Sequence, residues 1–190
     1  MMFGSEILSK GATGATVAEL QIRLAGFRGT VWDGVFGPGT ELQVIAFQGD
    51  YMKMGNPTGI VDEQTYEGLD RFAKEFGQNR FLNEYASGRP HLEEFYKREY
   101  PGIHKAILQT YRAAQFYAKL AEFGVSYLSS GYRCWFDNEE HDRTTTNHMG
   151  KALDLDFPLK KGESKRDDCR RCNAVRGLLV QKCNFQVGWG

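Results

Sequence analysis

The stretch Thr144-Thr145-Thr146-Asn147-His148-Met149-Gly150-Lys151-Ala152-Leu153-Asp154-Leu155-Asp156 holds the densest set of side chains able to do chemistry. A histidine in a Thr/Asn-rich loop runs straight into a segment that alternates apolar and acidic residues, and this period of two predicts a strand over 152–157. In a strand, Asp154 and Asp156 share one face. Two acids on a half-buried face repel each other unless something cationic sits there. A histidine and a carboxylate are an ordinary ligand pair for catalytic zinc. The competing reading is the solvent face of an edge strand, and residue chemistry alone leaves the two close to even.

Other reactive groups carry less. The cysteines at 134, 169, 172 and 183 all lie in the second half. Cys169-x-x-Cys172 could be half of a structural zinc site, but such sites use two close pairs, and Cys134 and Cys183 are not one. Disulfides or plain thiols therefore rank above a structural metal. Glu93 and Glu94 are the nearest candidates for a glycosidase acid pair, yet read better as capping or surface acids. Cys134 beside His141 would need an ordered base to act as a nucleophile. His104 reads as a cap. The basic run Lys160, Lys161, Lys165, Arg166, Arg170 and Arg171, interrupted by Glu163, Asp167 and Asp168, reads as a solvated loop.

These groups must be positioned by a chain of 190 residues, 41% hydrophobic and 25% charged, which is ordinary for a soluble globular protein of one domain or two small ones. Lys plus Arg and Asp plus Glu both number 24, so the net charge is zero. With no basic excess or basic face, a nucleic-acid partner is not expected. No run approaches the ~18 apolar residues of a membrane helix, so no membrane insertion is expected. Met1 to Gly14 lacks the pattern of a secretory leader. The expectation is a monomer made in the cytoplasm, which something else must carry to any site of action outside it.

The first part, residues 1–77, reads as three short helices joined by tight turns. Val17, Leu20 and Leu24 have helical spacing. A Gly-rich turn, Asp33-Gly34-Val35-Phe36-Gly37-Pro38-Gly39-Thr40, leads into a helix carrying Leu42, Val44, Ile45, Ala46 and Phe47, with Thr40 as its expected cap. A second turn, Thr58-Gly59-Ile60-Val61-Asp62-Glu63-Gln64-Thr65, echoes the first and opens a helix to Phe76. The order Gly11…Gly14…Val17…Leu20-Gln21…Leu24…Asp33-Gly34-x-Phe36-Gly37-Pro38-x-Thr40…Phe47-Gln48…Gly59-x-x-Asp62…Thr65…Leu69 resembles the three-helix peptidoglycan-binding domain found on many wall hydrolases. Asp33, Gly34, Phe36, Gly37 and Thr40 carry the motif. The resemblance implies peptidoglycan as the partner and the bacterial wall as the place of action. One stretch departs from it: Gly49-Asp50-Tyr51-Met52-Lys53-Met54 is longer and more polar than the usual turn.

Residues 78–102 read as a linker, and 103–190 as an α+β domain. Its parts are a helix over His104 to Phe123, a strand at Val125–Leu128, a strand over 152–157, and a helix over Val175 to Cys183. Here Ser130-Gly131-Tyr132-Arg133 followed by His148-x-Gly150-x-Ala152-x-Asp154 resembles the zinc D,D-peptidase family. That family includes vancomycin-resistance D-alanyl-D-alanine peptidases and phage endolysins that cut L-alanyl-D-glutamate bonds. The resemblance implies Zn2+ held by His148 and Asp154, with Arg133 stabilising the substrate or its oxyanion, and a small antiparallel sheet. It further implies hydrolysis of a stem-peptide amide by a zinc-activated water, in a phage endolysin or a secreted or injected wall-lytic effector. Asp156 is the fallback for Asp154. The spacing from His148 to Gly150 is one residue short of the family pattern, and no histidine follows His148. The family's third ligand and its base are therefore missing from their usual place; His141 is the substitute in reach, and a C-terminally incomplete domain is the preferred reading. The alternative function is a non-catalytic peptidoglycan-binding protein.

Overall fold

The computed structural model describes residues 4–28, 31–76, 105–123, 127–130, 135–144, 152, 154–156 and 161–183. Its first three helices are α1 (Ala15–Arg23), α2 (Pro38–Asp50) and α3 (Glu63–Glu75). Each begins where local chemistry allows. α3 is capped by Asp62, whose carboxylate accepts from the Thr65 amide at 2.9 Å. α2 starts on Pro38 behind Gly37, using the fixed φ of proline at a position that needs no amide donor. Thr40 is thus not the cap expected from the sequence; it lies inside the first turn of α2 and is buried.

Two single bridges, Leu8 to Val61 and Thr13 to Val35, tie the N-terminal segment to the two turns. Val17, Leu20, Leu24, Phe27, Phe36, Val44, Phe47, Val61, Leu69 and Phe72 form the core between the helices. Phe27 sits at its centre, edge-on to Phe47 at 5.2 Å and to Phe72 at 5.4 Å between ring centroids. Each such pair adds about 0.5–1.5 kcal/mol beyond area burial.

The second half contributes α4 (Lys105–Leu120), β1 (Tyr127–Ser130), α5 (Trp135–Glu140), β2 (Asp154–Asp156) and α6 (Lys165–Leu178), which passes directly into a π-helical turn, Leu179–Cys183. α4 does not stand apart from the first three helices. Its Ala113, Phe116 and Tyr117 belong to the same core, with Leu178 and Leu179 packed against it.

The α+β class expected from the sequence is corrected here. The described residues build a helical protein in which strand is confined to β1 and β2. These two pair antiparallel, Tyr127 opposite Asp156, Leu128 opposite Leu155 and Ser130 opposite Asp154, with an irregularity between Leu128 and Ser130. Two short strands form a ribbon and not a sheet layer, because a sheet needs more strands or a covered apolar face to be stable. The alternation at 152–157 signals the ribbon; among the described residues the buried apolar side chains lie on helices, on the turns between them and at Leu8. A further correction concerns the basic run. Its residues from Lys165 onward lie on α6, since Lys and Arg are good helix formers, with Arg166 and Arg170 exposed.

Candidate functional site

Two buried glutamines organise the first unit. Gln21, on α1, is 2% exposed, and Gln48, on α2, is fully buried. Gln21 Nε2 donates to Thr40 Oγ1 at 2.9 Å, and to the Val35 carbonyl and Asp33 Oδ1 at 3.0 Å each. Its Oε1 accepts from the Gly34 amide at 2.9 Å. Gln48 repeats the arrangement one turn later. Its Nε2 donates to the Ile60 carbonyl at 2.8 Å, Thr65 Oγ1 at 3.0 Å and Thr58 Oγ1 at 3.3 Å. Its Oε1 accepts from the amides of Thr58 at 2.9 Å and Gly59 at 3.0 Å. A primary amide offers two protons and two lone pairs, so one side chain can replace the backbone partners that each tight turn lacks.

The motif residues find their reasons in this network. Gly34 has φ +74°, and a Cβ there would lie 3.1 Å from the Gly14 carbonyl oxygen. Phe36 is buried and exchanges backbone bonds with Gly11 and Ala12. Gly37 precedes α2. Thr40 accepts from Gln21 and donates to the Val35 carbonyl at 3.3 Å. Asp33 accepts from Gln21 and from the Val35 amide at 2.9 Å. Those two bonds, the Gln21 one first, favour its ionised form and hold its carboxyl below the usual carboxylate value. All five residues therefore shape the turn. Outward, the turn presents the exposed Asp33 carboxylate beside three apolar side chains, Val31, Trp32 and Val35, which are 61%, 43% and 49% exposed. Ile60, at the place in the second turn that matches Val35, is exposed as well.

Gln21 and Gln48 both lie in the motif, and their role emerges only in the structure. The signal was present: each is a polar residue beside an apolar one on the inward face of its helix, in Leu20-Gln21 and Phe47-Gln48.

The zinc candidates are placed only in part. Asp154 and Asp156 lie on β2, and Asp154 is the ladder partner of Ser130, which opens the Ser-Gly-Tyr-Arg segment. The structure thus brings the ends of the two motif segments side by side in the backbone. His141 is exposed in the turn after α5. Arg133 and His148 lie outside the described residues, as do Glu93, Glu94, Cys134 and His104. Among the described residues, no three His, Cys, Asp or Glu side chains converge so as to hold a metal ion. No described helix is long and apolar enough to cross a membrane.

Residues 13–69 match the family described as "Putative peptidoglycan binding domain". The matched segment holds α1, α2, both turns and α3 as far as Leu69. Among solved structures, the crystal structure of the SleB N-terminal domain is 36% identical to this chain. The alignment covers 36% of this chain and 94% of that one, with a TM-score of 0.32. No curated protein matches the chain.

Proposed function

We propose that this chain, whose residues 13–69 match the peptidoglycan-binding family, holds bacterial cell wall through the first unit. The observation that carries the reading is the family match over that segment. The Gln21 network holds three of the five motif residues, Asp33, Gly34 and Thr40, in the turn. The contact surface is the outward side of the first turn, where the partly exposed Trp32 ring stands with Val31 and Val35. An aromatic side chain covers apolar sugar or peptide surface. Function placed on a loop held by rigid helices is a common arrangement.

Co-sedimentation with purified peptidoglycan sacculi tests this directly. Wild-type chain is expected in the pellet, and Trp32→Ala is expected to bind about tenfold more weakly, a loss of about 1.4 kcal/mol, compared at a temperature where both remain folded. Failure of the wild type to sediment would sink the reading. Unchanged binding by Trp32→Ala would move the contact surface elsewhere on the unit.

A finer reading goes further: the second half cuts a stem-peptide amide, with Arg133, His148 and Asp154 in the site and Zn2+ as the metal. The backbone pairing of Ser130 with Asp154 favours it, because it joins two segments that resemblance alone related. Its test combines zinc content with release of new termini from sacculi, for the wild type and His148→Ala. Stoichiometric zinc with chelator-sensitive release, both lost in the variant, is the expected result. Binding without zinc or release would leave the non-catalytic wall-binding protein as the whole function.

A further inference from the structure

The loop that follows α1 has a shape its own unit does not require. Gly26 has φ +96°, and a Cβ there would lie 2.5 Å from the Ala113 Cβ and 3.1 Å from the Thr110 Cα, both on α4. The contact is thus close enough that only glycine fits. Phe27 next to it is fully buried, and its ring lies 6.1 Å from Phe116 and 5.6 Å from Tyr117 of α4 between centroids. Arg28 then takes a left-handed conformation, φ +60°, that costs a non-glycine residue about 1–2 kcal/mol. In that conformation its amide donates to the carbonyl of Lys182 at 2.9 Å, within the π-helical turn.

The other side of the contact is equally specific. Asp50, at the end of α2, accepts from the Tyr117 hydroxyl at 2.7 Å and pairs with Lys182 Nζ at 3.4 Å. The Lys182 ammonium also stands 5.6 Å from the Tyr117 ring centroid, a cation over an aromatic ring. Tyr51 lies edge-on to Phe116 at 5.6 Å. Asp50 and Tyr51 belong to the one stretch that departs from the peptidoglycan-binding pattern. A single-turn π-helix costs regular hydrogen bonding and tends to persist where it serves a site. Here it delivers both the backbone and the side chain of Lys182 to the first unit.

We infer that the wall-binding unit is not a module swinging on a tether: the Ala25–Arg28 loop and the Leu179–Cys183 π-turn form a built clasp that fixes α4 and α6 to it. The occupant of this face is the chain's own C-terminal helices. Any group carried on those helices is then held at one distance and one orientation from the wall anchor.

The inference is independent of ligand binding, so it is tested on the full chain without peptidoglycan. Backbone 15N relaxation would be compared between amides of α1–α3 and amides of α4 and α6. One shared rotational correlation time is expected; a shorter time for α1–α3 would overturn the clasp. The variant Gly26→Ala should separate the two times or release α4, whereas Gly37→Ala, where a Cβ meets nothing within 4 Å, should change neither. Should Gly26→Ala fail to fold, the pair Asp50→Ala and Lys182→Ala serves instead. Their effects on the urea midpoint are expected to be coupled; strictly additive effects would remove the latch.

Discussion

Replacing Gln48 with leucine keeps most of the side-chain volume and removes every hydrogen bond of the second hub. The Gly59 amide is buried and bonds to Gln48 Oε1, so it would be left without a partner. An orphaned buried amide costs about 1–3 kcal/mol. The Ile60 carbonyl would lose its 2.8 Å bond and keep the Thr58 hydroxyl at 3.4 Å as its donor, a smaller loss of about 0.5–1 kcal/mol. The Thr65 hydroxyl keeps its 2.8 Å bond to Asp62. The sum is a destabilisation of roughly 1.5–4 kcal/mol. Urea unfolding of the full chain, read by far-UV circular dichroism, measures it as a drop in midpoint with the slope unchanged. Gln48→Glu sharpens the test. It has the same shape, but puts an acceptor where the Ile60 carbonyl needs a donor. Its deficit should therefore be large at neutral pH and shrink as the new carboxyl protonates, since the neutral acid can donate again. A Gln48→Leu protein within 0.5 kcal/mol of wild type, an ordinary surface-mutation effect, would refute the hub as a structural necessity.

Three further outcomes are expected. Gly34→Ala and Gly59→Ala both meet the left-handed penalty of about 1–2 kcal/mol. Gly34→Ala should melt lower, because its Cβ faces the Gly14 carbonyl while that of Gly59 faces the side chains of Glu41 and Ile45. Asp33 has a folded-state pKa below its unfolded value, so its contribution is present above the unfolded value of about 3.9 and is lost as pH falls through the folded one. Asp33→Asn should accordingly lose less stability than wild type between about pH 6 and about pH 3, measured by urea midpoints. Arg112 is half-buried on α4, its Nε has no hydrogen-bond partner, and burial together with the charge of Arg23 lowers its pKa. Arg112→Met should therefore be neutral or raise stability by about 1 kcal/mol; a destabilisation would show that its 3.2 Å bond to Gln109 Oε1 outweighs the cost of burying the charge.

The parts of the fold that local chemistry dictates were legible in the sequence. The spacing of Val17, Leu20 and Leu24, the two glycine turns and the helical pattern over His104 to Phe123 predict α1, α2, α3 and α4 within a few residues. The echo between the two turns was also visible, but its cause was not. Hydrogen bonds between Gln21 and Thr40, or Gln48 and Thr65, join residues 19 and 17 apart, and no periodicity reports them. α6 was read too short because its first turns are charged and carry no apolar stripe. The α+β reading overweighted a three-residue strand whose alternation was real but whose partner was a single strand. The clasp left no local trace: Gly26 reads as any loop glycine, and Lys182 as a surface cation, until α4 is beside them. For the zinc candidates, the backbone neighbourhood of Ser130 and Asp154 is the legible part; Arg133 and His148 lie outside the described residues.

α2 belongs to both glutamine networks at once. It receives the first through Thr40 and supplies the second through Gln48, eight positions later. At about 100° of rotation per helical residue, adding or removing one residue between them would swing Gln48 away from its turn while Thr40 stayed in register. The spacing between the two is therefore phase-locked, and an insertion or deletion inside it would break one of the two networks. In this chain the departure from the common pattern begins at Gly49, one residue after the locked interval ends.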